Sequence, residues 1–334
     1  MQHELLHTGQ HYSESLDADF FELLELESPE HTLEIGSAPH GEQTGLMLAG
    51  IERVVAETTP SVVVVQGDTN SVLAGALAAS KMAPELAHVE AGLRSFDRSM
   101  PEEVNRVLAD HVADHLFAPT ESAAEYLAQE GLGPDNITVT GNTIVDAVYH
   151  YSERARAESE ILSTLGVSAG DFILLTVHRA ENVDDPDTFR SILEGVSQYA
   201  SDRELPVVYP VHPRSQERLS AFDITTPPEI VAVDPLGFFD FLALEAEAAL
   251  AITDSGGVQE ESCILRTPCV TVRTNTERPE TVTAGANIVA GTSAPAIVDA
   301  ATRMSDREAD WVNPFGDGNA AERIISALTR ESDE

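Results

Sequence analysis

Two carboxylates and two histidines of this 334-residue chain fall where short apolar runs give out, the positions from which a side chain can reach a ligand, and a third carboxylate opens a helix. Asp68 follows the run at 62–66 and leads at once into a helical pattern, so it can cap that helix as well as act on a substrate. Glu90 closes the run at 86–90, and a carboxylate ending an otherwise apolar strand is harder to explain as structure. Glu102 stands in the first turn of a helix opened by Pro101, where the helix dipole alone would favour an acid. His178 ends the run at 172–177 beside Arg179, and His212 ends the run at 207–211 shortly before Arg214. Imidazoles paired with guanidinium groups suit an anionic leaving group. Grouped carboxylates can move protons if burial or mutual repulsion keeps one of them protonated.

The strongest local signal spans 252–261, where a strand runs into Ser255-Gly256-Gly257 and then a helix. Backbone N–H groups and a helix N-terminus aimed outward make a phosphate cradle. Glu260 and Glu261 follow closely enough to accept both hydroxyls of a ribose, and Arg278 is a candidate phosphate cation or a surface ion pair. Neither a P-loop nor a GxGxxG fingerprint occurs, which disfavours nucleotide hydrolysis and dinucleotide redox chemistry.

These residues need a scaffold of strand ends. Short apolar runs at 62–66, 86–90, 115–119 and 137–141, and again at 172–177, 207–211, 229–233, 249–253 and 269–273, alternate with helical patterns. Continuous apolar runs suit strands buried on both faces, so the alternation predicts doubly wound α/β domains with parallel sheets. A long helical pattern at 143–162 separates the two sets of runs, giving domains at 1–150 and 151–315 and a final helix within 316–330. Ligands belong at the carboxyl ends of such sheets.

Charge is the outlying property, with 57 acidic residues against 19 basic ones and a formal net charge of −38. Lys81 is the only lysine. Self-repulsion on this scale is relieved by screening, which points to a salt-rich cytoplasm, and it excludes nucleic acid as a partner. No apolar run approaches a membrane span, the first residues lack a secretory signal, and Cys263 and Cys269 form neither a disulfide framework nor a zinc pattern. A cytoplasmic enzyme is expected.

Taken in order, QGDTNS, HVEAGLRS, MPEEVNR, TVHRAEN, YPVHP, DSGGVQEE and TERPETV make the chain resemble the non-hydrolysing UDP-N-acetylglucosamine 2-epimerases over nearly its whole length. The resemblance implies a GT-B fold of two Rossmann-like domains facing a cleft, the last helix crossing back to the first domain, and a homodimer. It implies catalytic roles for Asp68, Glu90, Glu102 and His212, and UDP contacts from Ser255, Gly256, Gly257, Glu261 and Arg278, with Phe241 at the uridine and His178 and Arg179 nearby. The implied reaction eliminates UDP across C1–C2 to a 2-acetamidoglucal and adds it back with C2 inverted, the carboxylates moving the proton and an imidazolium at His212 receiving the diphosphate. It requires no metal and no cofactor; the one small-molecule partner is a UDP-sugar. Hydrolysing relatives, epimerases of 2,3-diacetamido uronates and a GT-B glycosyltransferase are the competing readings, and an inactive remnant is a further one. Two departures stand out. The family's opening strand and Gly-Thr-Arg-Pro-Glu loop precede the point where this sequence starts, so the coding region is expected to extend upstream. Ser13 replaces a glutamine of the family's activator site, although Gln10 is kept.

Overall fold

Every strand pairing among the described residues is parallel. The computed structural model describes residues 2–10, 21 and 23–330, and the chain divides into two units, Met1–Asn142 with Ala321–Glu334, and Thr143–Ala320. The boundary therefore precedes the long helix at 143 instead of cutting it at 150.

In the first unit, β1 (Leu6–His7) pairs with β2 (His31–Thr32), while β3 (Val62–Gln66), β4 (Glu85–Val89), β5 (His115–Ala118) and β6 (Ile137–Val139) form a four-stranded sheet in chain order. Helix α1 (His40–Thr58) holds the two sheets to one core. Its Met47, Ile51 and Val55, one helical turn apart, pack on Leu6, Leu33 and Ile35 and also on Val63, Ala74 and Ala78. Helices α2 (Asn70–Ala79), α3 (Pro101–Val112) and α4 (Glu121–Gln129) link the strands of the larger sheet. Each starts on a readable signal: Thr69 and Thr120 accept the N–H groups of Val72 and Ala123, and Pro101 opens α3.

The second unit runs α5 (Thr143–Glu158), α6 (Ile161–Leu165), β7 (Ile173–Thr176), α7 (Ala180–Val183), α8 (Pro186–Arg203), β8 (Val207–Pro210), α9 (Pro213–Ala221), β9 (Ile230–Val233), α10 (Phe238–Glu247), β10 (Leu250–Thr253), α11 (Gly256–Leu265), β11 (Cys269–Thr271), α12 (Pro279–Ala284), β12 (Asn287–Val289) and α13 (Ala294–Ser305). Its six strands lie in the order β12-β11-β10-β7-β8-β9, with the first strand of the unit in the middle. One apolar cluster, from Ile173 and Tyr209 through Ile252 and Val270 to Met304, fills one face. Strand β12 escapes the sequence reading because 287–289 opens on a buried asparagine.

The last helix, α14 (Ala320–Arg330), packs Ile324 and Leu328 on Ala87, Val89 and Phe117 of the first unit. Burying two such side chains contributes roughly 1.5–3 kcal/mol each. Among the described residues no helix is long and apolar enough to cross a membrane. The fold is α/β, two doubly wound units with parallel sheets, of GT-B type.

Candidate active site

The carboxylates of the first unit stand on neighbouring strand ends. Strands β3 and β4 pair in parallel with Gln66 opposite Val89, so Asp68 and Glu90 follow adjacent ends of one sheet. Asp68 does not cap the next helix; Thr69 does. Asp68 is instead held from α3, where Arg106 pairs with its Oδ2 and the Asn105 amide donates to its carbonyl at 3.0 Å.

Glu90 adopts a left-handed backbone with φ 69°. That conformation costs a non-glycine residue about 1 kcal/mol and persists only where neighbours impose it. Here they do. The Gly67 N–H donates to the Val89 carbonyl at 3.1 Å, and the Ala91 N–H to Phe117 at 3.1 Å, pinning the chain on both sides of Glu90. Two residues on, Gly92 (φ 83°) has no room for a side chain, since a Cβ would come within 2.3 Å of the Ala123 carbonyl oxygen. The Gln66 amide donates to Glu90 Oε1 at 3.1 Å.

Of the two acids opening α3, only one remains available. Glu103 is buried and accepts from the Ser95 N–H and hydroxyl, the Phe96 N–H and Arg106. Glu102 is exposed. A single helix thus fixes the loops after β3 and β4 with its buried face and presents Glu102 at its start.

In the second unit the carboxyl ends of β7, β8 and β10 meet. Asp254, fully buried, accepts the backbone N–H groups of His178 at 3.0 Å and Arg179 at 2.9 Å and the Asn182 amide at 2.9 Å, and pairs with His178 Nδ1 at 3.1 Å. Burial works to raise the Asp254 carboxyl, but His178 and these N–H donors together hold it below the usual range. The His178 and His212 rings lie 5.2 Å apart. His212 is the N-cap of α9, its Nδ1 accepting the Arg214 N–H at 3.1 Å, so its proton resides on Nε2. Partial desolvation, then the nearby charges of His178 and Arg214, lower its pKa. The imidazolium that the resemblance implies would have to give up this cap. The Arg214 guanidinium is drawn off by Asp184.

Helix α11 begins at Ser255, whose side chain makes no cap bond, so the N–H groups of Gly256, Gly257 and Val258 are presented at the helix start without intrahelical acceptors. A Cβ on Gly256 or Gly257 would meet only ordinary contacts at 3.8 Å or more. Protein packing does not demand glycine there; bare backbone serves close approach by a ligand. Glu260 and Glu261 diverge. Glu260 is buried and pairs with Arg278 at 2.7 Å. Glu261 is half-buried beside the wholly buried Glu245; burial pushes both carboxyls up, that of Glu245 well up with the Glu261 charge adding to it. Phe241 is half-buried on α10. In the loop before Arg278, burial would raise the Glu277 carboxyl, yet Arg273 and then Arg179 bring it to about 2.

The model of the UDP-N-acetylglucosamine 2-epimerase family matches residues 1–329. A UDP-N-acetylglucosamine 2-epimerase of Methanocaldococcus jannaschii is 49% identical over 97% of this chain and 90% of its own length. The chain belongs to the UDP-N-acetylglucosamine 2-epimerase family. A crystal structure of the M. jannaschii enzyme in complex with UDP-GlcNAc and UDP superposes with a TM-score of 0.88 over 98% of this chain and 91% of that one. A UDP-2,3-diacetamido-2,3-dideoxy-D-glucuronate 2-epimerase of Pseudomonas aeruginosa is 41% identical over 98% of the chain and 91% of its length. Membership makes the chain an isomerase, a carbohydrate epimerase.

Within that family frame, the first unit places Asp68 and Glu90 after neighbouring strand ends and Glu102 at the exposed start of α3, and the second carries His178, Arg179, His212, Ser255, Gly256, Gly257, Glu261 and Arg278. Ser13 lies outside the described residues. Sequence reasoning missed Arg106, Asp254 and Glu245. Arg106 had a signal, since it follows Glu102 by one helical turn and so shares its side of α3. Asp254 directly precedes Ser255. Glu245 had none, because its coupling to Glu261 arises only when α10 packs on α11.

Proposed function

We propose that the chain interconverts UDP-N-acetylglucosamine and UDP-N-acetylmannosamine by eliminating UDP and adding it back. The C2 proton of the sugar is not acidic enough for simple carbanion chemistry. A carboxylate takes that proton as the C1–O bond breaks and the electron pair leaves with UDP, giving a C1–C2 double bond. Re-addition delivers a proton to the opposite face of C2 while the UDP oxygen rejoins C1, so the sequence is redox-neutral. Glu90 and Glu102 are assigned the proton transfers and Asp68, held by Arg106, the orientation of the ring. His212 donates from Nε2 to the departing diphosphate, and the α11 start receives it.

The observation that carries this reading is the arrangement around α3. Its buried face immobilises the loops carrying Asp68 and Glu90 while Glu102, at its start, stays exposed. The test is incubation with UDP-N-acetylglucosamine in heavy water, followed by proton NMR. The expected product is UDP-N-acetylmannosamine with deuterium at C2. A product retaining its C2 proton refutes the mechanism, and free N-acetylmannosamine with released UDP identifies a hydrolysing enzyme instead.

A further inference from the structure

Beneath the carboxylates lies a buried ionic chain that the mechanism above does not use. His88, on β4 two residues before Glu90, is completely buried, as is Asp110 near the end of α3. His88 Nδ1 stands 2.6 Å from Asp110 Oδ1, and His88 Nε2 stands 2.8 Å from the carbonyl oxygen of Gly67. A carbonyl oxygen can only accept, so Nε2 must donate. A proton must also lie between Nδ1 and Oδ1, since two lone pairs cannot face each other at that distance. Arg94 fixes which partner holds it: its NH1 lies 2.7 Å from Asp110 Oδ2, which keeps that group a carboxylate. The imidazole therefore donates twice.

Its position gives this arrangement a purpose. Gly67 immediately precedes Asp68, and its own N–H bonds back to Val89, next to Glu90. Asp110 also accepts the Gly92 N–H at 3.2 Å, and Arg94 closes on Glu130 through two further bonds of 2.7 Å. One buried carboxylate thus grips the loop after β4 directly and the turn after β3 through His88. The charges surrounding the ring are Asp110, Arg94 and Glu130 and, beyond the Gly67 carbonyl, Asp68 with Arg106 and Glu90.

We propose that His88 is a positioning residue of the epimerase reaction: an imidazolium clamped between Asp110 and the Gly67 carbonyl that sets Asp68 and Glu90 relative to each other. The proposal rests on the assignment of those two carboxylates to the reaction. A neutral ring would lose either the Asp110 or the Gly67 bond and release the turn that carries Asp68. A clamp of fixed charge holds two loops at one spacing through every protonation change of the carboxylates above it.

Two measurements on the full chain test this. In the unaltered protein with nitrogen-labelled histidine, both ring nitrogens of His88 are expected to show protonated shifts at neutral pH. An unprotonated ring nitrogen at neutral pH overturns the clamp. In His88→Gln, which keeps one amide donor, kcat and the rate of C2 deuterium uptake are expected to fall together by about 10²-fold, as for a small displacement of reacting groups, with UDP affinity unchanged. Asp110→Asn, which keeps the ring but removes its counter-charge, is expected to lower kcat in the same direction and to abolish the doubly protonated signature. A folded His88→Gln chain with kcat near that of the unaltered chain overturns the positioning role. Absence of C2 exchange in the unaltered chain would instead sink the assignment of Asp68 and Glu90, and the positioning role with it, whatever the ring shifts show.

Discussion

Strands β3 and β7 do the same task in the two units by different means. Each runs into a candidate site residue of its own unit, Asp68 from β3 and His178 from β7. β7 pairs on both sides, with β8 and β10, and all four of its residues are buried. Among the described residues β3 pairs with β4 alone, and its Val64 is 51% exposed. One face of the second unit's sheet is covered by one large apolar cluster, whereas the described clusters of the first unit are smaller, around Met47, Val72, Phe117 and Leu116. What the first unit lacks in sheet continuity it replaces with polar ties: Arg106 to Asp68 and Glu103, Asp110 to His88, Gly92 and Arg94. The residues proposed for the nucleotide thus stand at the ends of a continuous sheet, and those proposed for acid/base work lean more on a charge network. Placement by charge is directional but depends on every partner being present.

The largest effects should therefore come from carboxylates of the first unit. Glu90→Gln and Glu102→Gln are expected to lower kcat by about 10²–10⁴-fold, the range for losing a positioned acid or base, with UDP affinity near that of the unaltered chain. Steady-state kinetics beside calorimetric titration with UDP separate the two quantities. Loss of UDP binding equal to the loss of kcat would break the division of labour between the units. Next in size, removal of a phosphate cation should act on binding alone. Arg278→Ala strands a buried partner, so the informative variant is Arg278→Ala with Glu260→Gln. One charge-assisted bond is worth about 1.5–3 kcal/mol, which predicts UDP affinity weaker by roughly 10- to 100-fold. Unchanged affinity would remove Arg278 from the nucleotide site.

How much of this was legible in the sequence follows the same division. All nine apolar runs became strands, with ends shifted by a residue or two, because buried parallel strands write themselves as β-branched stretches. The short run at 4–8 also became a strand, β1, and those that escaped, β2 and β12, have two or three residues and only partial burial. The strand-to-helix turn at Ser255-Gly256-Gly257 was readable because its signal is local. The network under the carboxylates was not: the sequence separates His88 from Asp110 by 22 residues and Arg106 from Asp68 by 38. Only the packing of α3 across two strand ends brings them together. The state of His212 was likewise hidden, because a helix cap made by a histidine nitrogen has no signature in residue types.

A smaller effect distinguishes the two sheets themselves. In hydrogen exchange followed residue by residue, the amides of β3 that do not face β4 are expected to exchange faster than any of β7, whose bonds lie inside the sheet. Binding of UDP should slow exchange at the ends of β7 and β10 and leave β3 unchanged. Equal protection of β3 and β7 in the free chain would show that the first unit is as well covered as the second.

The smallest predicted effect concerns the two histidines that border the chemistry. His88 faces acceptors on both nitrogens, whereas Nδ1 of His212 faces a donor, the Arg214 N–H. Protonating His212 consumes the lone pair that caps α9. Its folded pKa is accordingly lowered from the ordinary 6.5, by desolvation first and then by His178 and Arg214. The unfolded chain then binds more protons than the folded one, so the cap's contribution to stability is present above about 6.5 and is lost as pH falls through the folded pKa. The residue is exposed, so the loss is small. His212→Asn supplies an amide oxygen that caps without titrating. The thermal midpoint of the unaltered chain should decline relative to this variant as pH drops below about 6.5, and the two should run parallel above it. A His212 ring that titrates above its ordinary value would mean that it carries charge at neutral pH. The diphosphate would then be met by an imidazolium, and the contrast with His88 would vanish.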